Sequence, residues 1–244
     1  MKPDLSTIVS VLPACAHFVA LQTGKEIHNY TIRNGFHLNE FIENALIDMY
    51  SKCGSLDNAC RVFDSMLAKD IVSWNTMIAG YGMHGNGEIS LTIFHDMQHA
   101  YIKPNHITFI VVLCACNHAG LVGEGLQCFE SMSQDNAITP TIEHYACMVN
   151  LLGHVGHLDE SYEFVNSMPF KPTPGMWGTF LSSCKAHSNL QLAEHVADIL
   201  FELEPENDAY YVLLSNIYAE ARRWENVGSV RAKMKEYGVM KKPG

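Results

Sequence analysis

The sequence predicts an all-α fold, a right-handed solenoid of seven stacked helical hairpins. Apolar-rich segments recur at intervals of roughly 31 to 36 residues, a spacing typical of helical repeats. Each segment carries apolar side chains at positions i, i+1 and i+4, which form one stripe along a helix. The i+1 residues are Leu12, Ile47, Ile78, Leu113, Val149, Leu181 and, in a weaker copy, Leu214. No alternating strand pattern extends beyond a few residues.

A second helix follows each first helix. In the segment that begins at Glu40, the first helix stops at residues 52–54 and Ser55 stands at an N-cap position. Apolar residues then continue at helical spacing from Leu56 to Met66. Proline disfavours a helical conformation at the residue before it, so it separates neighbouring hairpins. Prolines of this kind are Pro104, Pro140, Pro172 and Pro205.

Composition agrees with a helical repeat protein. The chain has 244 residues, 48% of them hydrophobic, which suffices for a continuous core between neighbouring hairpins. It contains no apolar run of 18 residues, so we expect no membrane span. Residues 1–4 show no secretory signal and read as the closing loop of a preceding repeat, which predicts a fragment of a longer protein.

The eight cysteines and thirteen histidines indicate neither disulfides nor a metal centre. Cys15, Cys116 and Cys184 share one register of the first helices, so we expect core residues in a reduced compartment. A zinc deaminase needs HxE and CxxC motifs, and the sequence contains neither. It also lacks a GxSxG elbow and a phosphate-binding loop. We therefore predict no cofactor, no metal site and no catalytic residue: the chain is not an enzyme.

Three stretches carry a resemblance to a known family. They are NALIDMYSKCGSLDNACRVFDSM from Asn44, IVSWNTMIAGYGMHGNG from Ile71 and ITFIVVLCACNHAGLVGEGLQCFESM from Ile107. They resemble plant pentatricopeptide repeat (PPR) proteins of the PLS class, of the type that acts in RNA editing. The matching boundaries are an L-type repeat at 5–39, an S-type at 40–70, a P-type at 71–105, a long L-type at 106–141 and a long S-type at 142–173. Residues 174–207 and 208–244 resemble the two E-type extension repeats of that class.

The resemblance implies single-stranded RNA binding with one base read per repeat. In the family, the fifth and the last residue of a repeat face the base together. The corresponding pairs here are Val9 with Asn39, Asn44 with Asp70, Asn75 with Asn105, Ile110 with Thr141, and Ala146 with Thr173. An asparagine amide offers a donor and an acceptor to a pyrimidine edge. By resemblance, the Asn44 pair implies uracil and the Asn75 pair implies cytosine or uracil.

The family also stacks each base between the second residues of consecutive repeats. Phe41, Val72 and Ile107 stand at these positions, whereas Ser6 and Glu143 depart from the apolar pattern. The alternative interpretation is that Phe41, Val72 and Ile107 are core residues at helix starts.

The net charge of −10 opposes a strongly phosphate-driven interaction with RNA. The leading hypothesis remains an RNA-binding segment of a plant organellar C-to-U editing factor, in a mitochondrion or chloroplast, whose transit peptide is absent from this chain. Residues 174–244 would recruit or position a deaminase or another editing factor. The alternative is a non-catalytic scaffold that binds proteins, since helical repeats commonly hold peptides in a concave groove.

Overall fold

The computed structural model describes residues 3–236, which form fourteen α-helices and no β-strand. The helices are α1 Leu5–His17, α2 Leu21–Arg33, α3 Glu40–Lys52, α4 Leu56–Ser65, α5 Ile71–Gly82, α6 Gly87–His99, α7 His106–Ala119, α8 Val122–Gln134, α9 Ile142–Val155, α10 Leu158–Asn166, α11 Pro174–Ala186, α12 Leu190–Leu203, α13 Asp208–Glu220 and α14 Trp224–Glu236. None of these fourteen has the length and apolar character that spanning a bilayer requires.

Contacts divide the chain into two units, residues 1–140 and residues 141–244. In the first unit, consecutive helices pair into four hairpins, and the first helices α1, α3, α5 and α7 pack side by side. In the second unit, α9 to α14 form three hairpins, and α11 packs against both α9 and α13. The described residues thus form seven helical hairpins, four stacked in the first unit and three in the second, which confirms the predicted all-α fold class of helical hairpins. Its right-handed sense stays a prediction.

The apolar stripe of the first helices lies in the core of each unit. Leu12, Ile47, Ile78 and Leu113 are buried in the first unit, and Val149, Leu181 and Leu214 are buried in the second. The expected core cysteines Cys15, Cys116 and Cys184 are buried as well. By contrast, Val11 in α1, the stripe residue directly before Leu12, is 39% exposed. Val11 lines an open cleft together with Ile8 of α1 and with Ile27 and Tyr30 of α2.

The first helix of every hairpin begins directly after a capping residue. These residues are Asp4, Asn39, Asp70, Asn105, Thr141, Thr173 and Asn207. In six of them, all but Thr141, the side chain accepts a hydrogen bond from a backbone N–H of the first turn. Such caps satisfy N–H groups that have no partner inside the helix. Each helix therefore starts at the first residue of a predicted repeat; the L, S and P types assigned to the repeats stay predictions.

Candidate nucleic-acid interface

Asn44 and Asp70 lie next to each other between α3 and α5. Asp70 Oδ1 accepts hydrogen bonds from the Ser73 N–H at 2.8 Å and the Ser73 hydroxyl at 2.7 Å, and a long one from Asn44 Nδ2 at 3.5 Å. Burial acts to raise the pKa of Asp70, but the bonds from Ser73 and Asn44 outweigh it and hold the pKa below its ordinary value. Asp70 is thus an ionised carboxylate at neutral pH that caps α5 and orients Asn44.

Asn75 and Asn105 occupy the equivalent places in the next repeat. Asn105 Oδ1 accepts from the Thr108 N–H at 2.9 Å and from its hydroxyl at 3.0 Å, while the Asn105 N–H donates to Thr108 Oγ1 at 3.1 Å. This reciprocal capping box fixes the start of α7. Asn75 is buried in α5, and no hydrogen bond joins its amide to Asn105 in this part of the chain.

Both fifth-position asparagines carry a buried oxygen without a partner. Among residues 3–236, Asn44 Oδ1 and Asn75 Oδ1 accept no hydrogen bond although both atoms are shielded from solvent. Leaving such an acceptor unsatisfied costs about 1–3 kcal/mol. Ser51 Oγ and Trp74 Nε1 of the same unit are further buried atoms of this kind among the described residues.

A cleft of about 270 Å³ opens beside Asn75, between α3, α5 and α7. Its lining includes Asn75 and Asn105, the apolar side chains of Val72 and Ile107, and Ser51 near the end of α3. The Ser51 hydroxyl is a further buried group without a hydrogen-bond partner in the described chain. The cleft therefore combines apolar walls with unused polar groups, which is typical of a small-ligand site.

The three second-position side chains are exposed. Phe41 is 62% exposed, Val72 50% and Ile107 58%, each in the first turn of its helix. The interpretation of these residues as helix-start core is therefore wrong, because their neighbours Ile42, Ser73 and Thr108 take the buried positions instead. Base stacking by Phe41, Val72 and Ile107 stays a prediction. Ser6 and Glu143 are exposed too.

The remaining predicted pairs have fifth residues that cannot form side-chain hydrogen bonds with a base. Val9 and Ile110 are half-buried in α1 and α7, and Ala146 is half-buried in α9. None of these three side chains forms hydrogen bonds. Their predicted partners are all helix caps: Asn39 accepts from the Ile42 N–H at 3.3 Å, Thr173 accepts from the Met176 N–H at 3.3 Å, and Thr141 precedes α9. The structure places Asn39, Thr141 and Thr173 in a structural role; whether they also face RNA stays a prediction.

The capping role of the last residues was missed from the sequence. The signal was present, because an aspartate, asparagine or threonine directly precedes each first helix. His144 adds a variant of the same device. Its buried ring accepts a hydrogen bond at Nδ1 from the Thr141 N–H at 3.0 Å, which gives His144 a structural role at the start of α9. No group of three potential metal ligands comes together within residues 3–236.

Three aromatic residues of the extension, Trp177, Tyr218 and Trp224, divide into two kinds. Trp177 is 4% exposed and Tyr218 7%, and both belong to the core of the second unit. Trp224 is 67% exposed at the start of α14. Trp177 and Tyr218 are therefore packing residues, and Trp224 is the one of the three whose ring is available on the surface.

Family comparisons match this architecture. A model described as PPR repeat matches residues 44–71 and 107–136, a model described as PPR repeat family matches 69–118, and a model described as E motif matches 187–244. The chain belongs to the pentatricopeptide repeat family. Its E motif match agrees with the resemblance of the last residues to an extension.

Curated relatives come from Arabidopsis thaliana. The chloroplastic pentatricopeptide repeat-containing protein DOT4 is 47% identical over 243 residues, covering 100% of this chain and 28% of DOT4. The chloroplastic protein CRR2 is also 47% identical over 243 residues, covering 100% of this chain and 37% of CRR2. A putative mitochondrial member is 46% identical over 242 residues, covering 99% of this chain and 39% of that protein. The chain thus spans less than half the length of these relatives.

Solved structures of PPR10 share the fold. PPR10 in complex with an 18-nt PSAJ RNA element aligns with a TM-score of 0.80 at 16% identity, covering 99% of this chain and 36% of PPR10. Maize PPR10 aligns with a TM-score of 0.58 at 18% identity, covering 99% of this chain and 40% of that chain. At this identity the similarity concerns the fold alone.

Proposed function

We propose that residues 5–173 bind single-stranded RNA sequence-selectively, as part of a plant organellar C-to-U editing factor of the PLS class. The bases are read one per repeat, with Asn44 and Asn75 as the discriminating side chains. Residues 174–244 position a deaminase or another editing factor. The proposal assigns no catalytic step to this chain.

The observation that carries the proposal is the pair of unpartnered amide oxygens. Asn44 Oδ1 and Asn75 Oδ1 lack hydrogen bonds in the described residues, so a ligand with matching donors would recover what their burial costs. The terminal χ2 torsion of asparagine takes a broad range of angles. Each amide can therefore turn its donor and its acceptor toward a base edge. Asp70 limits that rotation for Asn44, which favours one base over another.

Exposed apolar side chains supply the second part of such a site. Phe41 and Val72 flank the position of Asn44 along the chain, and Val72 and Ile107 flank that of Asn75. Stacking on an aromatic side chain contributes roughly 1–3 kcal/mol per base. Phe41 is the one aromatic of the three, so we expect the base beside Asn44 to contribute most to affinity.

The relatives support the organellar part of the proposal. The names of DOT4 and CRR2 place those proteins in the chloroplast, and that of a third relative places it in the mitochondrion. One solved PPR10 structure contains RNA. The E motif match covers residues for which the resemblance implies a role in editing.

Selection from a randomised RNA pool tests the proposal. We expect enriched RNAs to share adjacent pyrimidines, with uracil at the Asn44 position and cytosine or uracil at the Asn75 position. The variant N44A/N75A should lose this preference, whereas the matched control N29A, an exposed asparagine of α2, should keep it. Enrichment of no RNA sequence by the intact chain would contradict the proposal and favour a protein-binding scaffold.

A further inference from the structure

The first extension repeat differs from the preceding repeats at the place where a base would be read. Its fifth residue is Gly178 in α11, and its last residue is Asn207, the N-cap of α13. A glycine offers no group to a base edge, but its missing side chain by itself would leave room for a base. In the structure that room is taken by a side chain from α13, the first helix of the next hairpin.

Tyr210 covers Gly178. A Cβ atom on Gly178 would lie 3.2 Å from Tyr210 Cε1 and 3.8 Å from the Tyr210 hydroxyl oxygen. Tyr210 is the third residue of α13. The third residues of α5 and α7 are Ser73 and Thr108, whose short side chains donate a hydrogen bond to the cap before them. The tyrosine ring extends beyond the cap and reaches the fifth residue of the preceding repeat.

Glu204 holds both the ring of Tyr210 and the side chain of Asn207, the last residue of the repeat. Its Oε2 atom accepts hydrogen bonds from the Tyr210 hydroxyl at 3.0 Å and from Asn207 Nδ2 at 2.8 Å. Asn207 Oδ1 accepts from the Ala209 N–H at 3.1 Å, so both ends of this amide are engaged. Burial and the Glu204 carboxylate raise the pKa of Tyr210, which keeps its hydroxyl a donor at neutral pH.

The charge next to this position is also reversed. Lys69 directly precedes Asp70, and Lys103 lies two residues before Asn105. Before Asn207 the chain carries Glu204 and Glu206 instead. RNA phosphates attract lysine and repel glutamate. The first extension repeat therefore repels the RNA backbone at its last residue, whereas the repeats at 40–70 and 71–105 attract it there.

We propose that Tyr210, clamped by Glu204, fills the base position of the first extension repeat and so ends RNA reading at residues 142–173. RNA that leaves this repeat then has no base held by the extension and stays free for a bound partner. This inference rests on the proposed RNA-binding function, which it deepens by defining the border of the RNA footprint.

Binding by the intact chain to defined RNAs tests the border. The probe is the core sequence enriched from the random pool, with adenosines added on either side and the nucleotide next to the core made abasic on one side at a time. If Tyr210 fills the base position, removing that base at the extension end changes the dissociation constant for RNA less than twofold. A loss of about fivefold or more, the effect of one lost stacking contact, would overturn the inference.

Substitutions can also vacate the base position that Tyr210 fills. The double variant Y210A/G178N removes the ring and supplies an amide beside Asn207, so it should acquire a base preference of about fivefold or more at the nucleotide next to the core. The matched control Y210F keeps the ring, loses the bond to Glu204 and should show no new preference. An opened variant that binds the core as tightly as the wild type but acquires no preference would count against the inference.

The measurements with abasic RNAs use the wild-type chain, so they test the inference even if the double variant does not fold. The outcomes also separate the two proposals. If the intact chain enriches no RNA, both fail; if it binds the core but also depends on the adjacent base at the extension end, only the role of Tyr210 fails.

Discussion

Asp70 combines two tasks that substitution can separate. Its Oδ1 atom caps α5 through the Ser73 N–H and is also the acceptor for Asn44 Nδ2. The variant D70A loses both contacts, whereas D70S keeps an N-cap oxygen but has a side chain too short to replace the 3.5 Å contact with Asn44. Loss of an N-cap lowers the free energy of unfolding by about 1 kcal/mol, whereas aspartate and serine are nearly equal as caps.

The expected result is a dissociation of stability from base preference. D70A should melt about 2–4 °C below the wild type, and D70S within about 1 °C. Both variants should lose selectivity for uracil over cytosine at one nucleotide, by about fivefold if the lost hydrogen bond is worth about 1 kcal/mol. Thermal unfolding and competition binding with RNAs that differ at that nucleotide measure the two effects. If D70S retained the selectivity of the wild type, Asp70 would be a cap and not a reader.

Three further predictions address reading, packing and pH. N44T with Asp70 retained should shift the preferred base from uracil toward guanine in competition binding, because a shorter side chain leaves room for a purine; unchanged preference would exclude Asn44 as a reader. W177A should lower the free energy of unfolding by about 3–5 kcal/mol, while W224A should change it by less than about 0.5 kcal/mol, as their burial differs; similar effects in denaturant unfolding would contradict this assignment. Because the pKa of Asp70 is lower in the folded chain, its contribution is present above about pH 4 and is lost as the pH falls further. Acid titration of D70N should therefore show a smaller loss of stability below pH 4 than the wild type, and an equal loss would contradict the role of the carboxylate.

The hairpin stack could be predicted because one physical requirement repeats. Each first helix must bury a stripe on its neighbours, so residues such as Ile47, Ile78 and Leu113 recur in one register and are all buried. Val11 has the same pattern in the sequence and is partly exposed. Periodicity reports which face of a helix is apolar, whereas burial depends on which other helices pack against it.

The candidate site was less predictable, because its features depend on side chains from different repeats. Family resemblance selects Asn44 and Asn75, but the sequence gives no sign that their amide oxygens are buried without partners. Nor does it distinguish Trp177 from Trp224, since both lie in the first turn of a helix. The contact of Tyr210 with Gly178 joins residues of two repeats and emerges only from the packing of α11 against α13.

Capping and reading impose a shared constraint on the last residue of each repeat. The residue must satisfy an N–H of the next helix, which favours short polar side chains such as aspartate, asparagine, serine and threonine. Asn39, Asp70, Asn105, Thr141 and Thr173 all belong to this set. Asp70 in addition contacts the fifth residue of its repeat, since it accepts the long hydrogen bond from Asn44 Nδ2. Under the proposed function, the last residue of a repeat is therefore limited to side chains that can start a helix, whereas the fifth residue has no such duty.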